Sequence, residues 1–332
     1  MKAKKSVVVV GAGVAGLACA KKLASNGLNV KVIEKSDRPG GRCTSVKLSE
    51  GIYDHGAQYF TARETEFQKV VQSLKENKYV DELNISVRKF SEDSQMIDLP
   101  SETRYIGVPT MGAIAEGLSM DLSIHYSSQV MSLTRCNGTW EITTLEDRKK
   151  TVFHQADIVV LAMPVDQILQ LDASKKFKSC VGDFRMSPCW AVMLSFDQKI
   201  PVDYSALLIT SEDSAISWVM KDSAKKHRQG FERWVIHAGP SWSKKNIHLS
   251  PEKVGVILSE EFRALTQASR PVFAFSKLWR YASGGRENRY NCIVDHEHLI
   301  IGCGDWASGG RIEGAWLSGS TSARVVLQML AS

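Results

Sequence analysis

The stretch S-V-V-V-V-G-A-G-V-A-G-L, Ser6–Leu17, combines a short β-branched run with three glycines at fixed offsets. The run Ser6–Val10 predicts a buried parallel strand. The pattern after it predicts a helix through Leu23, with Leu17, Ala20 and Leu23 on the face packed against a sheet. Gly11 then permits the tight turn, Gly13 lets backbone approach a pyrophosphate, and Gly16 removes a side chain where helix meets strand. Ala15 sits in the first helical turn, whose free amides and positive end face the phosphates. A second strand, Asn29–Ile33, ends in Glu34. A carboxylate about twenty residues beyond the glycines accepts both hydroxyls of an adenosine ribose and repels a 2′-phosphate.

Outward from Glu34, the run E-K-S-D-R-P-G-G-R places Arg38, Gly40, Gly41 and Arg42 in the following loop. Paired glycines bring backbone close to a flat or charged ligand, and Arg42 offsets pyrophosphate charge with directed donors. A site for NAD alone has no use for this second loop. A cofactor that continues through a ribityl chain into an isoalloxazine does, so FAD is expected. In D-H-G-A-Q-Y-F, Asp54–Phe60, Gly56 and Ala57 are small enough for backbone to pass the flavin edge. Gln58 and Tyr59 are placed to reach the ring or the substrate, and His55 reads as a structural histidine ahead of a base. Near the other end, a strand at Leu299–Ile301 leads to Asp305, a carboxylate suited to ribityl hydroxyls. The segment Gly309–Trp316 then opens a helix to about Leu330, where Gly314 and Ala315 leave the first-turn amides accessible. Those amides and the helix dipole stabilise negative charge on the N1–C2=O edge of a reduced flavin.

Between these ends the chain leaves the nucleotide-binding region and returns to it. A helix is expected over Thr65–Asn77, strands between Leu83 and Tyr105, and a short helix over Ala113–Leu118. Val130–Thr134, Thr139–Thr144 and Thr151–His154 predict a meander with Asn137-Gly138 as one turn. It delivers the chain to the apolar strand Ala156–Met163, ended by Pro164. The expected fold is α/β, a Rossmann-like FAD-binding domain with a discontinuous α+β substrate domain containing a mixed or antiparallel sheet. Residues 1–65, 123–164 and 290–332 are assigned to the first, and residues 66–122 and 165–289 to the second. The second module carries five candidate strands, a helix over Pro251–Thr266, and Trp190, Trp218, Trp234, Trp242 and Trp279. These tryptophans are read either as core or as a wall over a planar ring and a planar substrate. The basic stretch Lys221, Lys225, Lys226, Arg228, Arg233, Lys244 and Lys245 is read as a solvated face first and a phosphate-binding patch second.

Composition bounds the function classes. The 332 residues carry a mild excess of 42 basic over 36 acidic side chains, with no recognisable nucleic-acid module. No run reaches the length of a spanning helix, so no membrane partner is expected. The basic, apolar start is read as strand and turn and not as a removed signal. Seven scattered cysteines without a Cys-x-x-Cys pair indicate free thiols and a cytoplasmic setting. Asp295-His296-Glu297-His298 lacks a matched third site, and no metal is expected. The oligomeric state is left open.

The chain resembles the renalase family, most closely its bacterial members, within the wider amine-oxidase-like flavoproteins. The likeness is carried by Gly11–Ala20, Glu34–Arg42, Q-Y-F-T-A-R within Asp54–Arg63, Asp157–Pro164, K-L-W-R-Y-A at Lys277–Ala282, and Cys303–Gly319. The resemblance implies noncovalent FAD held by Gly11, Gly13, Gly16, Glu34, Arg42 and Asp305. It also implies oxidation of misreduced nicotinamide dinucleotides, 2- or 6-dihydro-NAD(P), by hydride transfer to flavin N5, with O₂ taking the electrons to H₂O₂. Such a hydride donor becomes an aromatic cation and needs positioning but no general base. Gln58, Tyr59 and Trp279 are the candidate positioning residues. The rival expectations are an amine oxidase on the same fold and a non-catalytic protein that carries flavin.

Overall fold

Alternate valines of the first strand face opposite layers, and this decides how the nucleotide-binding half is built. A computed structural model describes residues 5–90, 95–228, 230–284 and 291–331. The boundary expected at 289/290 and the first four residues lie outside them. Strand Ser6–Val10 pairs in parallel with Asn29–Ile33 on one side and Ile158–Leu161 on the other. Ile300–Gly302 joins next to Ile158–Leu161 in parallel, with Ile293–Asp295 antiparallel at one edge and Ile124–His125 at the other. Val7 and Val9 pack toward the helices Val14–Ser25 and Arg311–Ala331. Val8 and Val10 pack toward Leu133, Trp140 and Ile142 of a separate three-stranded sheet. A parallel strand covered on both faces can be apolar throughout, which is why Ser6–Val10 and Ile158–Leu161 do not alternate.

The three-stranded layer is the expected meander, with strands Ser128–Cys136, Thr139–Glu146 and Lys150–Ala156. Its first turn uses Asn137 and Gly138, both at positive φ, the conformation that two-residue hairpin loops require. The strand expected over Leu299–Ile301 starts one residue later. Leu299 has φ 53 and forms the corner that reverses the chain before the strand.

A second, seven-stranded mixed sheet follows the order Phe273–Gly284, Met186–Phe196, Glu232–Ala238, Ile216–Lys221, Ala206–Ile209, Val87–Phe90, Met96–Asp98. One face is sealed by helix Pro251–Thr266, which Ser250 caps by accepting the Lys253 amide. Trp190, Val192, Leu194, Trp234 and Ile236 meet Val254, Leu258 and Phe262 there. Met193, Val235, Met220 and Trp218 point the other way, toward residues 53–60. Burial of the helix-facing aliphatics supplies roughly 1.5–3 kcal/mol per large side chain. The sheet therefore has a closed face and a face turned to the first glycine-rich half of the chain.

The two ends of the sequence meet where helix Arg311–Ala331 crosses helix Val14–Ser25. Gly319 lies so close to the Ala15 carbonyl that a Cβ would overlap it. Gly319→Ala is therefore expected to force the helices apart and to cost about 1–3 kcal/mol, the scale of overpacking. Thermal unfolding measures this, and an unchanged midpoint would show that the crossing tolerates a methyl.

Candidate functional site

The three glycines of the first turn serve different constraints. Gly11 has φ +106, and a Cβ there would overlap the Ala162 carbonyl. At Gly16 it would overlap the Gly11 carbonyl. Gly13 differs, because a side chain there would meet nothing within 4 Å. Facing it across the opening, a Cβ on Gly41 would touch only the Gly13 Cα, at 3.5 Å. The Gly40 amide donates to the Ala12 carbonyl at 2.9 Å, fastening the second loop to the first. No side chain caps helix Val14–Ser25 at Gly13, so its first-turn amides, Ala15 among them, keep their donors. A backbone-lined opening at a positive helix end suits a dinucleotide pyrophosphate.

Glu34 is buried beside this opening. Its Oε2 accepts the Ala12 amide at 2.7 Å, and Oε1 accepts the Ser36 amide at 2.8 Å. Each oxygen retains a lone-pair direction for a ribose hydroxyl. Arg42 donates through Nη1 to the Ala282 carbonyl at 2.8 Å and to Asp305 Oδ2 at 2.9 Å, with a second short contact from Nη2. The pair joins the second glycine loop to the C-terminal segment. Arg38 is not brought into this group; it pairs with its neighbour Asp37 at the exposed surface. Gly314 is tight for a reason other than amide access, since a Cβ there would overlap the Ser308 carbonyl. Ala315 follows it, half-buried, just past the first turn of the same helix.

The loop after Tyr53 runs along Arg42, whose carbonyl accepts the Ala57 amide at 2.9 Å and leaves no room for a Cβ at Gly56. Asp54 at its start is fully buried. Oδ2 accepts Lys225 Nζ at 2.7 Å and Arg228 Nη2 at 2.8 Å, and Oδ1 accepts the Met111 amide at 3.1 Å. Asp222 Oδ1 accepts Lys225 at 3.1 Å and the Asp54 amide at 3.2 Å. Burial alone would raise the Asp54 pKa, but Lys225 and Arg228 outweigh it and hold the carboxyl below its usual range. The solvated-face reading of the basic stretch is therefore corrected. Lys226, Lys244 and Lys245 are exposed, whereas Lys225, Arg228 and Arg233 are buried. Two carboxylates in the core need cations, and this segment supplies them.

Gln58 belongs to the same cluster. Its amide nitrogen donates to the Asp54 carbonyl, and Lys225 lies 3.5 Å from its oxygen. It braces the loop. The neighbours on either side present flat surfaces. The His55 ring stacks on Trp279 with centroids 5.0 Å apart, and Tyr59 meets Trp218 at 5.7 Å. Trp279 Nε1 and His237 Nε2 both donate to the His55 carbonyl, at 3.0 and 3.1 Å. Two of the five tryptophans in the second module thus face the loop, while Trp190 and Trp234 fill the core under the helix and Trp242 packs against it. Burial, with the charge of Lys277, pushes the His55 pKa down to about 3, and burial pushes that of His237 to about 4. Both rings are neutral at ordinary pH.

The sequence reading missed the Lys225–Asp54–Arg228 cluster and Arg104, buried beneath Tyr59. A signal for the cluster existed. Asp54 sits among small and aromatic residues, and a carboxylate in such a run needs distant cations. Asp295, Glu297 and His298 offer ligand atoms within 4.8 Å of one another. Asp295 spends its oxygens on Ser174, the Glu297 amide and His298, as the brace of a turn.

Comparison with known proteins places this geometry. Residues 9–74 match the NAD(P)-binding Rossmann-like domain, and residues 84–327 match the flavin containing amine oxidoreductase family. Protoporphyrinogen oxidase 2 of Arabidopsis thaliana is 42% identical over 110 residues, 32% of this chain and 19% of that protein. Putrescine oxidase of Kocuria rosea is 29% identical over 119 residues, 36% of this chain and 23% of that protein. The matched stretch is thus a quarter or less of either relative. Cyclohexylamine oxidase from Brevibacterium oxydans IH-35A superposes with a TM-score of 0.75 at 14% identity, covering 99% of this chain and 100% of that one, a likeness of fold.

Two outcomes follow from the cluster and the histidines. Lys225→Met leaves Asp54 and Asp222 with one cation between them and is expected to cost about 3–5 kcal/mol; chemical denaturation reads the loss, and a change under 1 kcal/mol would contradict the pairing. For His55 and His237 the folded pKa lies below the unfolded value of about 6.5, so stability is complete above that pH and falls as acid protonates the unfolded chain. At pH 5 His55 alone should contribute a loss of about 2 kcal/mol. His237→Gln is expected to flatten the fall in thermal midpoint between pH 7.5 and 5, and a slope equal to wild type would count against a neutral buried ring.

Proposed function

The chain belongs to the flavin containing amine oxidoreductases, with FAD as cofactor, and on that premise we propose that it oxidises misreduced nicotinamide dinucleotides, 2- or 6-dihydro-NAD(P), to NAD(P)⁺. Bound FAD supplies a two-electron acceptor at N5 of its ring and returns the electrons to O₂ as H₂O₂. Gly13, Ala15, Gly41 and Glu34 would hold its adenosine and pyrophosphate end, on a turn that Gly11 and Gly16 keep tight. Arg42, Asp305 and Ala315 would hold the stretch toward the ring, on a helix that Gly314 packs against Ser308.

The observation that carries the reading is the state of the ionisable groups around the Asp54–Tyr59 loop. Asp54, Asp222, Lys225 and Arg228 neutralise one another in the core, and His55 and His237 are held neutral. Burial lowers the pKa of Lys277, whose Nζ lies 5.1 Å from the centre of the Trp279 ring, and neither Asp54 nor either histidine is poised as a base that cycles near neutral pH. A dihydronicotinamide needs none, because loss of its hydride yields an aromatic cation with no further proton to remove. The planar faces of Tyr59, Trp218 and Trp279 suit a flat ring and supply orientation, the main contribution a protein makes to hydride transfer. Gln58 acts through the loop that it braces, as a positioning residue. The renalase-like motifs Q-Y-F-T-A-R and G-D-W-A-S-G-G-R-I-E-G support the same substrate class. Seven free thiols favour a reducing, cytoplasmic setting. Among the described residues no helix is long and apolar enough to cross a membrane.

The rival reading, an amine substrate, comes from relatives such as putrescine oxidase and cyclohexylamine oxidase. Anaerobic mixing of the FAD-loaded protein with 2- and 6-dihydro-NAD(P) and, separately, with a panel of primary and secondary amines separates the two. Flavin bleaching by a dihydro isomer, with no response to amines, is expected. Bleaching by an amine alone would overturn the proposal, and no bleaching by any donor would favour a non-catalytic carrier.

A further inference from the structure

Arg104 lies on strand Arg104–Gly107, where the residues turned inward are buried. Its guanidinium carbon stands 5.6 Å from the centroid of the Tyr59 ring, the ring that also meets Trp218. The side chain is only 7% exposed, so the charge is almost wholly out of water. Arginine does not discharge on burial, and its five donors require acceptors.

The acceptors present do not meet that need. Glu102 is the one carboxylate paired with Arg104 among the described residues, and its Oε1 is 3.7 Å from Nη2, beyond hydrogen-bond reach. Its other oxygen accepts Arg63 Nη2 at 2.9 Å, so one carboxylate serves two cations. The Glu102 carbonyl receives Nη1 at 3.4 Å, a long contact. Arg104 Nε is buried with no hydrogen-bond partner, and so is Nε1 of Trp218, which also neighbours Tyr59. Two buried donors and a surplus positive charge thus border the same aromatic pair. Buried donors without a partner call for an explanation, and a bound ion is one of those open to them; here the two lie beside one half-buried aromatic pair and carry a full positive charge between them.

We infer that Arg104 is the anion-recognition point of the substrate site and takes a phosphate oxygen of the dinucleotide, with Trp218 Nε1 as an accompanying donor. The inference rests on the substrate reading above and sharpens it. A phosphate supplies the missing counter-charge, and a charge-assisted bond to a buried guanidinium is among the stronger polar contacts available to a protein. The same charge opposes a protonated amine next to Tyr59.

The test compares wild type, Arg104→Gln and Arg104→Lys, each FAD-loaded, on three dihydronicotinamides: the riboside without phosphate, the mononucleotide and the dinucleotide. For Arg104→Gln the KM of both phosphate-bearing substrates is expected to rise at least tenfold. The riboside's KM and kcat should stay within twofold, and Arg104→Lys should recover part of the loss. A rise confined to the dinucleotide would still sustain the inference and assign the contact to the phosphate nearer the adenosine instead of the one nearer the nicotinamide. Equal losses on riboside and dinucleotide would mark a structural role and overturn the inference, as would no loss on any substrate. If Arg104→Gln does not fold, the Lys variant decides by the same split between riboside and dinucleotide. If wild type oxidises none of the three, the substrate reading has failed. Titration with inorganic pyrophosphate, followed by tryptophan fluorescence, then judges Arg104 separately. Tenfold weaker binding in Arg104→Gln would sustain it, and equal binding, or none in wild type, would sink it.

Discussion

The arrangement depends on a carboxylate that has been taken out of water. Asp54 cannot stay ionised in the core without cations, and the cations that reach it come from residues 225 and 228. Meeting that requirement draws the end of the first glycine-rich segment against the open face of the seven-stranded sheet. An apolar cluster of the same volume would fill the space but slide more readily, since ion pairs and directed hydrogen bonds fix register where dispersion does not. Once Asp54 is held, its neighbours have little freedom. The His55 carbonyl is fixed by two donors, Gln58 is folded back onto the loop, and Tyr59 is left projecting beside Trp218.

The cofactor-binding half was legible because its determinants are local. A β-branched run, glycines at three offsets and a terminal Glu34 describe one strand–turn–helix–strand unit, and its constraints act within about thirty residues. The meander and the helix Pro251–Thr266 were legible for the same reason, from the Asn137-Gly138 turn and from Ser250-Pro251 at a helix start. The substrate side was not. Lys225 and Arg228 look like surface residues in any local window, and only contact with residue 54 makes them interior. Arg104 precedes an apolar residue at strand spacing, a pattern too short to separate a buried cation from a solvated one. The tryptophans were divided between core and wall by a face-to-face alternation that strand boundaries alone decide, and those boundaries were uncertain by a residue or more.

Glycine is used here for two opposite ends. Gly11, Gly16, Gly314 and Gly319 are places where protein touches protein and a methyl would collide. At Gly13 and Gly41 the missing side chains leave open space beside the backbone. The distinction separates residues that hold the scaffold from residues that would meet a ligand, and sequence spacing does not make it, since all six read as glycine.

The crossing of the first and last helices also has a temporal side. During synthesis the strand Ser6–Val10 is made long before Ile300–Gly302 and the helix seated on Ala15. Until those follow, one flank of the sheet has no cover and the nucleotide opening lacks Arg42's partner Asp305. The growing chain therefore carries an uncovered apolar strand over that interval. The exposure ends when the helix Arg311–Ala331 docks, so completion of the sheet and acquisition of the flavin are expected to fall close together in time.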